Sequence, residues 1–305
     1  MISVIVPSHN HGHVLRDALS SIVPPFTCAV EIVVVDDGCT DLTSDVVATF
    51  DTPCELRFVR QRHAGLAAAR NRGLRESRGR YVLFLYPGDR LAPGALETGA
   101  AMLDQHPEAA FVFGRCVMVD ADGTLLPTPS QARIVRDQYR ELLRRNYISV
   151  PAVVMFKREA VERAGGFNPS VNTAAGYELY LHVARHYPVC DHAQVVVHHR
   201  RPDVNASGNA SHLLRDTLAV LRAERRFLEG DEASLLACAE GLRTWTKFYG
   251  TRLCNEILMD VSSGAWMAAA KKSMVLARRD PKALWHQATR HKIPRLGRAG
   301  GDLAR

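Results

Sequence analysis

The chain predicts an α/β fold: a mostly parallel mixed sheet with helices on both faces, followed by a helical C-terminal region. Three observations carry this. Apolar, β-branched runs alternate with helical runs through the first half, the order of strands joined by crossover helices. The runs are continuously apolar, as strands buried on both faces are. Polar residues gather where those runs end, and ligands of such sheets bind beyond the carboxyl ends of the strands.

The elements follow in order. ISVIVPS (2–8) is a strand that delivers Ser8, His9 and Asn10, and the next segment sets Val14, Leu15, Ala18 and Ile22 at helical spacing. EIVVVDDG (31–38) is a β-branched strand ending on Asp36 and Asp37, and TDLTSDVVATF (40–50) reads as a helix with Thr or Asp near its cap. ELRFVRQ (55–61) is a strand, GLAAARNRGLRESR (65–78) a helix closed by Gly79, and RYVLFLYPG (80–88) a strand running onto Asp89. A helix over 94–107 follows, then a strand or hairpin arm over 109–123 with an Asp-Gly turn. A helix at 136–146 comes next, then a strand and short helix stopped by Gly165-Gly166, an amphipathic helix over 176–187 and a strand over 190–201. From Ser211 onward nearly everything is helical. Pro, Asp, Asn and Gly cluster near Asn205–Ser211, which places a domain boundary there, with domains of 1–205 and 206–305.

Composition is that of an ordinary globular protein, 47% hydrophobic and 23% charged. Nothing approaches the roughly 20 apolar residues of a membrane helix. The opening MISVIVPSHN lacks the basic-then-apolar pattern of a signal peptide and is expected to enter the fold as a strand. Seven scattered cysteines with no CxxC pair point to reduced thiols and a cytoplasmic protein, and away from a disulfide framework or zinc. The Asn-Ala-Ser triplets at 205–207 and 209–211 are read as chance.

The net charge is +7, and all the excess lies at the end: Lys271–Arg305 holds 10 Lys/Arg against 2 Asp/Glu. A solvated helix end is one reading. The other is a patch for anionic lipid headgroups at the inner face of a membrane, or for a partner or second copy. Nucleic acid is not expected, because aromatic residues for base stacking are sparse there.

The segments VIVPSHN, VVVDDGCTD, AAARNRGL, GRYVLFL and AGGFN, in this order and spacing, resemble the family 2 glycosyltransferases of the GT-A fold over roughly residues 1–200. The resemblance implies transfer of a sugar from a nucleotide-diphosphate donor, of UDP type, with inversion at the anomeric carbon. It implies that Pro7, Ser8 and Asn10 bound the base pocket, with His9 where an aromatic often stands. Asp36 or Asp37 would hold the base or ribose, and Arg70 would reach the nucleotide.

Two departures follow from the same alignment. The strand that in the family ends in an acidic cluster such as FLDADD reads FLYPGD here, so Tyr86 and Gly88 replace acids and Asp89 remains. The cluster holds a divalent metal against the phosphates. Mg2+ or Mn2+ on Asp89, joined by His198 or His199, is one expectation; metal-independent transfer is the other, with Arg201 supplying the positive charge. In FNPSVNTAAGYELYL the family's Glu-Asp pair is Ala175-Gly176, so Gly176 stands where the catalytic base belongs. Glu178 is the nearest acid, and helical spacing turns it away from position 176. Three functions remain open: a transferase with an altered centre, a degenerate relative that binds nucleotide sugar or a partner, and a scaffold turned to other chemistry.

Overall fold

The computed structural model describes residues 1–131, 133–134, 136–201 and 210–279. The expected boundary at 205–211 therefore falls largely outside the described residues, as do both Asn-Ala-Ser asparagines and the basic tail from 280 onward.

In chain order the elements are β1 (Ile2–Ser8), α1 (Gly12–Ser20), β2 (Val30–Asp37), α2 (Thr43–Ala48), β3 (Glu55–Gln61), α3 (Leu66–Glu76) and β4 (Tyr81–Phe84). Then come β5 (Arg90–Leu91), α4 (Ala95–Gln105), β6 (Phe111–Val119), β7 (Leu125–Leu126), α5 (Gln138–Arg144) and β8 (Val154–Lys157). The last are α6 (Arg158–Arg163), α7 (Ala175–Ala184), β9 (Val189–Arg200), α8 (Ala210–Glu224), α9 (Glu232–Ser262) and α10 (Trp266–Arg279).

The sheet runs β3-β2-β1-β4-β8-β6-β9-β5, with β7 as a hairpin arm on β6. Its first four strands are parallel. β8 is antiparallel to β4 and β6, which makes the sheet mixed. Alternation along β2 shows how both faces are covered: Ile32 and Val34 join the main core, while Val33 and Val35 pack with Val59 and Ala69 on the other side. That double burial is why these strands read as unbroken apolar runs.

Helix α3 departs from expectation at its end. It stops at Glu76, with Ser77 already extended, so Gly79 is not its cap. Gly79 is instead where the chain grazes β1: a Cβ there would lie 2.6 Å from the Ser3 backbone nitrogen. Beside it, buried Glu31 accepts from the Ser3 hydroxyl (2.6 Å) and from the Arg78 and Gly79 amides. Burial alone would raise the Glu31 pKa, but these hydrogen bonds and Arg57 outweigh it and hold it below 4.5. A depressed carboxylate lends stability that is full above its unfolded pKa and is lost as pH falls through the folded one. Urea midpoints of the wild type should therefore drop on acidification below pH 4.5, and Glu31→Gln should flatten that limb.

The helical C-terminal region is not a separate layer. Val220 and Leu221 of α8 and Ala237 and Cys238 of α9 belong to the same core as the sheet. Ala210, Leu214 and Leu218 of α8 meet Tyr249 and Leu253 of α9 in a second cluster.

Candidate functional site

The carboxyl ends of β1 and β2 are built as one unit. Pro7 and Ser8 pair in register with Val35 and Asp36. Asn10 takes a left-handed conformation (φ 58°), which asparagine tolerates, and its Oδ1 accepts from the Thr40 amide at 2.8 Å. Asp36 accepts from the Cys39 amide (2.6 Å) and from Arg60 Nε (2.9 Å). The Asp37 carboxylate accepts three hydrogen bonds, from Gln61 Nε2 (2.7 Å) and the Ala64 amide (2.8 Å) on Oδ1 and from the Gly65 amide (2.9 Å) on Oδ2; His63 Nδ1 lies 2.9 Å from Oδ2 and bonds the Asp37 carbonyl at 3.2 Å. Asp37 thereby fixes the loop that starts α3. Both carboxylates are buried, so the residues expected to meet a base or ribose also hold the tips together.

His9 lies over His63 with ring centroids 4.0 Å apart, and its Nδ1 bonds the Asp37 carbonyl at 2.8 Å. One ligand atom each from His9, Asp37 and His63 falls within 4.8 Å of the others. The Asp37 carboxylate there already accepts three hydrogen bonds and each imidazole Nδ1 faces the Asp37 carbonyl, so a cation at this place would compete with those bonds.

The loop after β4 completes the edge. Asp89 closes a turn onto the Tyr86 carbonyl, is 2% exposed, and its Oδ1 meets His199 Nδ1 at 2.6 Å. The short pairing of β5 with β9, Arg90 opposite His198, is what brings these residues together from 110 positions apart. Of the two histidines expected near the metal position, His199 is the one that meets Asp89; its neighbour His198 alternates to the other side of the strand. One carboxylate and one imidazole suit a divalent ion that also takes oxygens from a diphosphate. Arg201 is exposed just beyond β9, its amide bonded to the Val119 carbonyl. Arg200, which sequence reasoning passed over, lies beside the loop. A Cβ on Gly88 would sit 3.8 Å from its Cβ, and its guanidinium pairs with Asp17 at 2.7 Å.

Tyr86, in the place of a missing acid, joins the parts. Its ring meets His11 edge-on at 5.5 Å. Burial pushes its phenol pKa up; Arg70 pulls against that and Asp89 reinforces it. Burial and the neighbouring His13 hold the His11 imidazole below its ordinary value. Arg70 projects from α3 over the Phe167 ring, 5.1 Å from its centroid. Phe167 is positioned by Asn71, which bonds both its amide (2.8 Å) and its carbonyl (2.7 Å). Gly166 must be glycine for this: its φ is +75° and a Cβ would lie 2.6 Å from Asn71 Oδ1.

Gly176 stands in the first turn of α7, where an added Cβ would be 3.6 Å from the Tyr180 hydroxyl. No carboxylate occupies that spot. Glu178 is buried and accepts from Asn168 Nδ2 at 3.1 Å. Asp216 of α8 is taken up by the Thr173 hydroxyl at 2.6 Å and by Arg215. The site thus has an edge tipped by two buried acids, a carboxylate–imidazole pair and a buried cation, with a gap where the resemblance expects a base. Tyr180 and Phe167 escaped sequence reasoning because helix faces and loop ends carry such residues everywhere.

Comparison with known proteins agrees with this architecture. The family model for glycosyl transferase family 2 matches residues 3–165. An uncharacterized glycosyltransferase of Haemophilus influenzae is 26% identical over 183 residues, 59% of this chain and 61% of that protein. The chain spans less than two thirds of the length of the curated relatives it matches first. Among solved structures, Staphylococcus aureus TarS 1–349 in complex with UDP-GlcNAc superposes with a TM-score of 0.62 at 17% identity, covering 79% of this chain and 71% of that one. The mannosyltransferase PcManGT of Pyrobaculum calidifontis, in complex with GDP-Man and Mn2+, gives 0.57 at 21%, covering 93% and 87%. At these identities the structural likeness establishes the GT-A-type fold.

Proposed function

Since the chain belongs to glycosyl transferase family 2, we propose that it moves a sugar from a nucleotide-diphosphate donor, of UDP type, to an acceptor, inverting the anomeric carbon. The observation that carries this is the convergence of Asp36 and Asp37, Tyr86 and Arg70, and the Asp89–His199 pair on one edge of the sheet. The likeness to structures titled as complexes with UDP-GlcNAc and with GDP-Man supports it.

In this reading Pro7, Ser8 and Asn10 frame the base, and Asp36 or Asp37 takes its donors or those of the ribose. Asp89 and His199 would hold Mg2+ or Mn2+ together with the donor's phosphates; bound there, the ion neutralises charge developing on the leaving group. Arg200 borders the Gly88–Asp89 loop and Arg201 follows it at the end of β9, and both bring fixed positive charge of their own. If they carry the neutralisation alone, EDTA leaves transfer intact and Arg201→Ala abolishes it. Strict dependence on Mg2+ or Mn2+ assigns it to Asp89 and His199 instead.

The gap at Gly176 favours a second reading, in which the site binds a nucleotide sugar without turning it over. Calorimetry against UDP, GDP, dTDP and CDP sugars, with and without Mn2+, separates the two. Binding with slow donor hydrolysis marks a transferase, and binding without turnover marks the degenerate relative. No binding removes the transferase and leaves a relative that serves a partner.

We place the protein in the cytoplasm, where its free cysteines stay reduced. Among the described residues no helix is long and apolar enough to cross a membrane. Helix α10 exposes Trp266, Met267 and Met274 next to Lys271, and the basic tail follows it. This combination suits peripheral contact with anionic lipid. Deleting residues 280–305 should then weaken sedimentation with phosphatidylserine vesicles; an unchanged sedimentation, with a loss of dimer instead, would assign the region to self-association.

A further inference from the structure

Arg70 stands apart from the other buried charges among the described residues. Asp36 is paired with Arg60, Asp89 with His199, Asp191 with Arg115 and Glu224 with Arg185. Even Lys157 donates to a carbonyl, that of Pro107. Arg70 is 5% exposed, its Nε has no hydrogen-bond partner, and the titratable groups acting on it are the phenols of Tyr180 and Tyr86. Burial pulls its pKa down, yet a guanidinium does not shed its proton in a protein. A buried cation whose contact among the described residues is an aromatic face, with no carboxylate paired to it there, is unfavourable and invites an anion.

The surroundings say where that anion sits. Tyr180 lies between Arg70 and Gly176: it feels the guanidinium's charge, and its hydroxyl is 3.6 Å from where a Gly176 Cβ would be. The carboxylates that the family resemblance places at 86, 88, 175 and 176 are all absent. The chain thus lacks both the carboxylates that would accompany Asp89 and the base that would deprotonate an alcohol.

We propose that the acceptor attacks with an oxygen that is already an anion, a carboxylate or a phosphate monoester, and that Arg70 holds it. The inference rests on the transferase reading above. In the step, a lone pair of the acceptor oxyanion forms a bond to the anomeric carbon. The bond from that carbon to the diphosphate oxygen breaks, and its electron pair leaves with the nucleoside diphosphate. The product is a glycosyl ester or a glycosyl phosphate. No proton moves, so no base is required, since both groups are ionised near neutral pH. Guanidinium presents a planar fork that both oxyanions fit.

The test is calorimetry on protein saturated with UDP, titrated with inorganic phosphate in one arm and acetate in the other. At least one probe is expected to bind as a second event. Arg70→Met should weaken it by roughly tenfold or more, the loss expected for a charged hydrogen-bonded contact. Its melting temperature should hold or rise, because the substitution removes an unpaired cation. Gly176→Asp, which supplies the chain's own carboxylate, should weaken the second event too, so the proposal does not depend on one variant folding. With the donor sugar present, 31P NMR should detect a glycosyl phosphate if phosphate is the class, and mass spectrometry a glycosyl ester if carboxylate is. Probes that UDP displaces would show that Arg70 serves the donor's diphosphate, and probes that bind Arg70→Met as they bind the wild type would show it holds no anion; either overturns the inference. Failure of UDP and every nucleotide sugar to bind would instead overturn the transferase reading itself.

Discussion

Asp37→Ala is expected to lower the free energy of unfolding by about 4 kcal/mol and to remove nucleotide binding together with it. The estimate comes from what the carboxylate holds. Two backbone amides, Ala64 and Gly65, and the Gln61 side chain donate to it in a site that is 2% exposed, with His63 Nδ1 2.9 Å away. Truncation leaves both amides without an acceptor, and an orphaned buried donor costs about 1–3 kcal/mol. Relaxation of the loop returns part of this. Asp37→Asn should fall between, because one oxygen still accepts from Ala64 and Gln61 while the new amide opposes the Gly65 N–H. Urea denaturation measures the first effect and UDP calorimetry the second. A variant within about 1 kcal/mol of wild type would mean that α3 is positioned by its apolar face alone.

This double duty explains what the sequence made legible. The parallel strands announced themselves because burial on both faces forces unbroken apolar runs, and Asp36 and Asp37 stood out because two acids end such a run. The same residue types that bind ligands at strand tips also tie loops, so their identity could not say which task dominates. Pairings set by distant chain segments were harder to see. Asp89 meets His199 through the contact of β5 with β9, and neither residue carries a local sign of the other. Arg70 was picked out by the resemblance and by no local signal; α3 turns it inward onto Phe167, a position fixed by Asn71 from 96 residues away. Gly79 looked like a helix stop and is a point of close backbone approach. Arg200 was overlooked beside Arg201 because strand alternation alone does not reveal which arginine borders the loop.

Gly241→Ala should be the most damaging glycine-to-alanine change among the described residues, lowering stability by about 3 kcal/mol. A Cβ at this position would lie 1.9 Å from the carbonyl oxygen of Leu143, a backbone atom that cannot rotate aside. Ala237, Cys238 and Gly241 are spaced three and four apart on α9, so one face of small residues lets α5 approach closely. Arg144 to Glu240 at 2.7 Å and Arg140 to the Ser234 hydroxyl at 3.1 Å fasten the same contact. Leu142 and Leu143 of α5 are fully buried, and the Tyr177 hydroxyl of α7 donates to the Leu142 carbonyl. Pushing α9 away therefore moves α5, and α5 moves the helix that carries Gly176. If the C-terminal helices share one folding unit with the sheet, calorimetric melting of Gly241→Ala will show a single transition displaced to lower temperature, with weaker second-site anion binding below it. A melt split in two, with the sheet's transition left in place, would make the helices a separable domain and the α5–α9 contact an interface between two folding units.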